Sequence, residues 1–326
     1  MLKKGILILV LIIAIIFTYL YNSYTAVYDI GEMKISILIK QGDSFNKVAN
    51  QIIEKKLLDS KLLLKLMARF NRIDKKLTPG KYEFTGEYSC ATIFKKLEKA
   101  EFVRVKFTIP EGLTLWQTAS LLSNRFGFDS TKIIKLNTDS VYLAKNKIPS
   151  LEGYLYPETY FIPWGSSLDN VLAEVINMFF AETDSIWIDS FPNNMSREEI
   201  MIMASIVESE TSLAGEYAKV SSVYHNRIRK NMRLDADPTV IYGLGGLDRP
   251  LRLKDLKKDT PYNTYLHKGL PPTPINSPSL MSIKAAIYPE KTDFLFFVAD
   301  NSGGHYFSKT NAEHNLAKER IKRESK

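Results

Sequence analysis

The sequence begins with an apolar run whose length and flanking charges favour a membrane-spanning helix. Residues 5–20 read GILILVLIIAIIFTYL and carry no charge. With Tyr21 the run reaches about 17 residues, the lower limit for a helix that crosses a bilayer. Lys3 and Lys4 precede it and the first acidic residue is Asp29, so the positive-inside rule exports everything after the run. A cleaved signal peptide is the alternative, although the following NSYTAVYD offers no clean small-x-small site.

Two later segments share one pattern of apolar and polar positions. Residues 39–53 (IKQGDSFNKVANQII) and 109–123 (IPEGLTLWQTASLLS) each predict a short strand, a glycine turn, a Ser or Thr N-cap and an amphipathic helix. Gly42 and Gly112 occupy the two turns. The motif could arise twice by chance, but the matched spacing favours internal similarity.

The segment that follows the anchor predicts a small domain. Residues 81–84 and 103–109 indicate strands, and residues 91–99 indicate a helix. The QGDSF turn and the later LTPGKYEF resemble a LysM module, a small glycan-binding unit. We therefore expect a LysM-like domain over residues 28–104, after a cytoplasmic stub and anchor over residues 1–27.

From Ser150 onward, helical patterns alternate with loops rich in Pro, Gly and Tyr. The pattern predicts four helices, at residues 168–181, 197–210, 217–230 and 278–286. Aromatic and polar loops held between apolar helices are where a cleft usually lies. The fold class that we expect is α+β: an N-terminal membrane helix, the small LysM-like domain and a larger mixed α+β domain over residues 105–326.

One predicted helix ends in two carboxylates. Ser196 with Glu199 is a capping box, which places the helix start at Arg197, and the apolar run IMIMASIV predicts burial on all sides. Glu208 and Glu210 follow that run, and burial there would raise the pKa of a carboxyl and suit it to donate a proton. Two residues are about 200° apart on a helix, so only one faces a cleft. Periodicity does not choose between them, and a capped or solvated helix-end acid is the alternative for either.

Composition and missing motifs exclude several classes of function. The chain has 326 residues, a net charge of +8 and a single cysteine, Cys90, which excludes a disulfide framework or a multi-thiolate metal site. The charge excess is mild and spread along the chain, so we expect no nucleic-acid partner. No Walker pattern, HExxH spacing or G-x-S-x-G elbow occurs, and we expect neither a metal nor another cofactor. A Ser–His–Asp triad stays open at this point.

Ordered motifs identify the sequence as similar to the YceG-like family. ASIVESET, DPTVIYG, PYNTY, GLPP and FVAD…GGHYFSKT…EHN occur in the family's order. The resemblance implies an endolytic lytic transglycosylase, single-pass in the bacterial cytoplasmic (inner) membrane with its catalytic domain outside. It would cut the MurNAc-β-1,4-GlcNAc bond within nascent glycan strands, leave a 1,6-anhydro end and so limit strand length. It also implies Glu208 as catalytic acid/base and peptidoglycan synthases as partners. Ser279 departs from the pattern, where the family commonly has Gly.

Polar and aromatic residues in these motifs are the expected walls of a glycan groove, because such side chains suit a flat-faced polar polymer. They are Tyr154, Glu158, Asn226, Asp237, Thr239, Tyr242, Asn263, Tyr265 and His305. Asn226, Thr239 and Asn263 are the expected hydrogen-bond partners of sugar or of Glu208. For each, a turn, a cap or a core residue is the alternative.

Two other functions stay open. A hydrolytic muramidase would need a second carboxylate, Glu158 or Asp237, to activate water. A non-catalytic cell-wall scaffold would rely on the LysM-like module alone.

Overall fold

The computed structural model describes residues 2–40 and 42–324, which form thirteen α-helices, eight short strands and four two-stranded sheets. The architecture is therefore mixed, with helices providing most of the regular structure. The chain divides into two compact units. One contains the residues up to Lys106 together with Phe161–Ser167; the other contains Phe107–Tyr160 together with the residues from Leu168 onward. The domain boundaries suggested by the sequence stay predictions.

The first unit begins with helix α1 (Leu2–Thr25). Its stretch Lys4–Thr25 is long and apolar enough to cross a membrane, by length and composition alone. The remaining elements of this unit are short and follow in the order β1 (Tyr28–Asp29), β2 (Ile35–Ile39), α2 (Phe45–Glu54), α3 (Lys61–Phe70), β3 (Gly80–Phe84), β4 (Glu87–Tyr88) and α4 (Cys90–Glu98).

Antiparallel pairing and an apolar core hold the first unit together. β2 pairs with β3, which places Ile37 opposite Tyr82, and β1 pairs with β4. Ile37, Tyr82 and Phe94 are fully buried in one hydrophobic cluster with α2, α3 and α4. The predicted strand at residues 81–84 and the helix at residues 91–99 are confirmed to within one residue.

The second unit is mainly helical. Its elements, with the two strands that the chain uses to enter and leave it, are β5 (Arg104–Thr108), α5 (Leu115–Phe126), α6 (Ser130–Leu136), α7 (Ser140–Asn146), β6 (Thr159–Pro163), α8 (Leu168–Thr183), α9 (Arg197–Glu210), α10 (Tyr217–Arg229), α11 (Asp237–Gly243), α12 (Leu280–Ile287), β7 (Phe296–Ala299), β8 (His305–Ser308) and α13 (Asn311–Glu324). β7 and β8 pair antiparallel, with Phe297 opposite Phe307.

Both predicted strand–turn–helix segments have that structure. β2 leads through Gly42 to α2, and β5 leads through Gly112 to α5. The two glycines have φ of 82° and 72°, a left-handed conformation that favours glycine. Thr114 forms a capping box at the start of α5, whereas Ser44 makes no side-chain cap hydrogen bond at α2. The secondary structure of the two segments is confirmed, and their common origin stays a prediction.

Helix α9 lies at the centre of the second unit and positions the candidate site. It begins at Arg197 with the predicted capping box, in which Ser196 and Glu199 satisfy each other's backbone amides at 3.2 and 2.8 Å. Every residue from Ile200 to Val207 is buried. Because α10, α11 and α12 pack around this helix, its last turn is held rigidly where the two carboxylates emerge.

Candidate active site

Glu208 is held through one of its two carboxyl oxygens. Oε2 accepts hydrogen bonds from the Ser279 amide at 2.8 Å, the Ser279 hydroxyl at 2.6 Å and the Ser282 hydroxyl at 2.6 Å. Ser279 is the N-cap of α12, so the carboxylate also faces the positive end of that helix dipole. Within residues 2–40 and 42–324 no hydrogen bond reaches Oε1. One oxygen is thus fixed, and the other is free to meet a ligand.

The immediate surroundings of the Glu208 carboxyl differ from the expectation. The sequence predicts an apolar environment because seven of the eight preceding residues are apolar. The helix is buried as expected, but Glu208 itself is only half-buried and its nearest partners are hydroxyls and an amide. The reason is the loop before α12, which brings polar groups from 71 to 74 residues further along the chain.

That loop is fastened to α9 by further hydrogen bonds. The Ile275 amide donates to Ser205 Oγ at 3.0 Å, and Asn276 Nδ2 donates to the Ser205 carbonyl and to Ser209 Oγ at 2.8 and 2.7 Å. These contacts lie on the turn of α9 just before and around Glu208. They fix the distance between the helix end and Ser279, and so the geometry of the carboxyl.

A second carboxyl lies beside Glu208. The loop at Gly112 is joined to the same segment by a reciprocal pair of bonds, Gly112 N–H to Ser277 O and Ser277 N–H to Leu113 O, both at 2.9 Å. Burial and the negative charge of Glu208 raise the pKa of Glu111. Burial and the charges of Glu208 and Glu111 together raise the pKa of Tyr217 to about 12. Two acids and a tyrosine therefore share this face of α9.

Glu210 has a separate set of partners. The Tyr224 hydroxyl donates to its Oε1 at 2.6 Å. Burial raises the pKa of Glu210 to about 7, and the charge of Asp237 adds to that shift against the Tyr224 hydrogen bond. The side chain lines a cavity of about 440 Å³ with Asp237 and Tyr265, whose hydroxyl donates to Asp237 Oδ1 at 2.6 Å. The structure thus brings two of the expected groove residues together, at Glu210 rather than at Glu208.

The Tyr242 hydroxyl binds a further carboxyl, that of Glu152, which is buried. This hydroxyl donates to Glu152 Oε2 at 2.8 Å, and the Leu115 amide donates to both Glu152 oxygens at 3.0 Å. Glu152 is 1% exposed, and burial raises its pKa to about 7 against these hydrogen bonds. The Tyr242 ring packs between Trp116 and Tyr262, with both centroids at 4.7 Å. This cluster fastens the start of α5, which follows the Glu111 loop.

The three expected hydrogen-bond donors to sugar or to Glu208 are engaged within the fold. Asn226 Nδ2 donates to the Thr292 and Phe294 carbonyls, and Asn263 Nδ2 donates to the Leu256 and Lys258 carbonyls. Thr239 Oγ1 donates to the Ala236 carbonyl. The partners of Glu208 are Ser279 and Ser282 instead.

The remaining expected groove residues lie in different places. Tyr154 is buried and packs against Phe179 at 4.9 Å between ring centroids. Glu158 is exposed, and its carboxylate accepts the next backbone amide at 2.6 Å. His305 Nδ1 lies 2.6 Å from Glu216 Oε2. Their contact with a glycan stays a prediction.

Comparison with known proteins places the chain in a family. Residues 37–320 match the family model described as the YceG-like family. The chain belongs to the YceG-like family. The resemblance found in the sequence motifs is thereby confirmed, and it extends across both units.

Individual relatives agree with this assignment. The chain is 29% identical over 304 residues to a protein of Bacillus subtilis (strain 168) named endolytic murein transglycosylase, covering 88% of this chain and 84% of that protein. A Streptococcus pneumoniae (strain D39) protein of the same name is 24% identical over 330 residues; this chain covers 60% of its length. The crystal structure of a yceG-like protein from Listeria monocytogenes is 32% identical, with a TM-score of 0.58, and the match covers 87% of this chain and 98% of that one.

The sequence pattern does not predict Ser279 as a hydrogen-bond partner of Glu208, or Glu111 as an acid that senses the charge of Glu208. Glu111 follows the strand of the second strand–turn–helix segment, and Ser279 was noted only as a departure from the family pattern. A helix N-cap preceded by Pro278 was the available signal for Ser279. Among the described residues, no group of three or more His, Cys, Asp or Glu side chains could hold a metal ion.

Proposed function

We propose that this chain is a membrane-anchored endolytic lytic transglycosylase of peptidoglycan, with Glu208 as its catalytic acid and base. The relatives named endolytic murein transglycosylase support the reaction class. The observation that carries the assignment of the residue is the asymmetry of Glu208: three donors fix Oε2, and Oε1 is left to face a substrate oxygen. Among the described residues Glu210 accepts one hydrogen bond, from Tyr224 to its Oε1, so the set of three donors on one oxygen belongs to Glu208.

The chemistry needs one carboxyl that both donates and accepts a proton. Protonated Glu208 donates to the glycosidic oxygen between MurNAc and GlcNAc as the C1–O4 bond breaks and positive charge develops at C1. The resulting carboxylate then removes the proton of the muramoyl C6 hydroxyl, and O6 bonds to C1. A 1,6-anhydro end is formed, the GlcNAc hydroxyl is released, and no water is consumed. Ser279 and Ser282 hold Oε2 throughout, which keeps Oε1 on the line of both proton transfers.

The product distinguishes this reaction from hydrolysis. Full-length protein incubated with uncross-linked glycan strands should release fragments whose muramic end is one water lighter than a reducing sugar, as measured by mass spectrometry. Ordinary reducing ends would refute the transglycosylase assignment. Absence of any cleavage by the wild-type protein would favour the non-catalytic scaffold.

One observation favours hydrolysis as the second candidate. Glu111 lies beside Glu208 and senses its charge, which provides a second acid on the same face of α9. Glu111, rather than Glu158 or Asp237, is then the candidate for the second acid of a hydrolase. If Glu111 activated water, cleavage in isotopically labelled water would place solvent oxygen on C1 of the new end. Unlabelled anhydro ends would exclude that role.

The first unit would serve as anchor and glycan-binding module. The order β2, α2, α3, β3 with an antiparallel strand pair supports the LysM-like assignment. The apolar stretch of α1 supports a single-pass anchor in the bacterial cytoplasmic membrane, with the second unit outside. Peptidoglycan synthases in the same membrane are the partners that this location favours. A reporter fused after residue 326 that is active only outside the cytoplasm would test the orientation.

A further inference from the structure

Helix α3 exposes large apolar side chains that its own unit does not cover. Leu62, Leu66 and Phe70 are 72%, 55% and 87% exposed, and the spacing of four residues places them on one side of the helix. The opposite side, with Leu64 and Ala68, is buried in the core of the first unit. An apolar stripe of this size facing water marks an interaction surface.

Basic side chains border that stripe. Lys61, Lys65 and Arg69 are exposed and lie one position before each of the three apolar residues. Since each residue turns the helix by about 100°, they form a second stripe next to the first. Apolar side chains flanked by Lys and Arg are typical of helices that lie in the interface of an anionic membrane, where long basic side chains reach the headgroups.

The apolar stripe continues onto α1. Leu66, Met67, Phe70 and Asn71 line a cavity of about 410 Å³ whose other wall is Phe17, Leu20, Tyr21 and Tyr24. Tyr24 in turn contacts Phe94 of α4, with ring centroids 6.1 Å apart. The end of α1 is therefore attached to the same unit that carries α3, and the two apolar surfaces form one.

The α1 residues that line the cavity indicate how deep in the bilayer the cavity lies. Twenty helical residues span about 30 Å, so a hydrocarbon core that begins at Gly5 ends near Tyr24. Phe17 is seven residues before Tyr24, or about 10 Å deeper. The cavity shared with α3 thus corresponds to the last 10 Å or so of the span, the depth at which amphipathic interfacial helices lie.

We propose that α3 is a second membrane contact, whose face of Leu62, Leu66 and Phe70 lies in the outer leaflet, and that the cavity between α1 and α3 takes a phospholipid acyl chain. The proposal rests on the membrane anchor of the proposed function and goes beyond it. The consequence is that the first unit contacts the bilayer through α3 as well as through α1.

The test uses the full-length protein in vesicles of phosphatidylglycerol and phosphatidylethanolamine. The sequence has one cysteine, Cys90, which is buried, so single substitutions L62C, L66C and F70C can be labelled with an environment-sensitive dye. Lipids brominated on the acyl chain should quench these dyes at least about three-fold more than a dye at L253C, a position 82% exposed in the second unit. Aqueous iodide should show the reverse order.

A label at I12C separates this proposal from the anchor. Suppose that brominated lipid quenches the dye at position 12, whereas the dyes at positions 62, 66 and 70 are quenched only by aqueous iodide. That result would overturn the α3 contact and leave the anchor intact. Labels shielded from iodide but not quenched by brominated lipid would also overturn it, because a protein would then cover the face. A dye at position 12 that is quenched by iodide and not by brominated lipid would refute the anchor, and the membrane contact of α3 would be refuted with it. Glycan cleavage that depends on Glu208 is a separate readout.

Discussion

Glu208 and Glu210 stand two residues apart at the end of one buried helix and have different surroundings. Glu208 accepts hydrogen bonds from the hydroxyls of Ser279 and Ser282 and from the Ser279 amide at the start of α12, and its charge acts on Glu111. Glu210 meets Tyr224 and faces a cavity with Asp237 and Tyr265. The separation of about 200° around the helix sends the two side chains to different neighbours.

The difference shows that the environment of a carboxyl, more than its place on a helix, decides its chemistry. The surroundings of the Glu210 carboxyl remove it from water and raise its pKa to about 7, and such a group occurs in folds without any catalytic role. Glu208 has three donors on one oxygen, which orient its carboxyl as proton transfer to a positioned substrate requires, whereas Glu210 has one donor.

Replacing each acid by its amide tests most directly whether Glu208 or Glu210 carries the reaction. Glu208→Gln keeps the size but removes the proton, and we expect glycan cleavage to fall by about a thousand-fold. Glu210→Gln is the matched control and should retain activity within about three-fold, since its amide oxygen still accepts from Tyr224. Release of soluble fragments from labelled glycan measures both, with thermal unfolding to verify folding. A larger loss in Glu210→Gln would reverse the assignment.

Removing a hydroxyl that donates to Glu208 Oε2 should cause the next largest loss of activity. Ser282→Ala removes one donor to the carboxylate while Ser279 still caps α12, so we expect kcat to fall about ten- to a hundred-fold with KM little changed. Thr in place of Ser282 retains a hydroxyl and should restore part of the rate. Equal losses in the Ala and Thr variants would show that packing, not the hydrogen bond, is responsible.

How far the sequence predicts the site depends on the range of the interactions. The capping box, the start of α9 and its burial follow from residues within one or two turns, and all were predictable. The partners of Glu208 are 71 and 74 residues away, and no local pattern reports which loop returns to a helix end. The amides of Asn226 and Asn263 were expected to face sugar because of their type, but the fold uses them to satisfy main-chain carbonyls. The family resemblance, not periodicity, distinguished Glu208 from Glu210.

The raised pKa of Glu210 should be visible in the pH dependence of stability. Folding raises the pKa of Glu210 from 4.5 to about 7, so its contribution to the free energy of unfolding is fully present below pH 4.5 and lost as pH rises through 7. Glu210→Gln has no such loss, and its stability relative to wild type should rise by about 1–3 kcal/mol between pH 4.5 and 8. Urea unfolding at several pH values measures this.

The coupling between Glu111 and Glu208 gives a smaller, directional test. The negative charge of Glu208 contributes to the raised pKa of Glu111, so Glu208→Gln should lower the pKa of Glu111. Carbon-detected NMR of the labelled carboxyl would follow the titration. The control is Glu210→Gln, after which Glu111 should titrate as in the wild type. If the pKa of Glu111 is the same in Glu208→Gln as in the wild type, the charge of Glu208 does not act on Glu111.

The smallest effect tests what the Glu210 cavity does. Tyr265→Phe removes the hydroxyl that donates to Asp237 in the cavity of Glu210, whose lining does not include Ser279 or Ser282. If the cavity binds glycan away from the reacting bond, KM rises about two- to five-fold while kcat is unchanged, because only uniform binding is lost. Tyr288→Phe, on an exposed tyrosine outside that cavity, should alter neither constant. A fall in kcat as large as that of Ser282→Ala would place the reacting sugar on the Glu210 side, and the distinction between the two carboxylates would then have to be reversed.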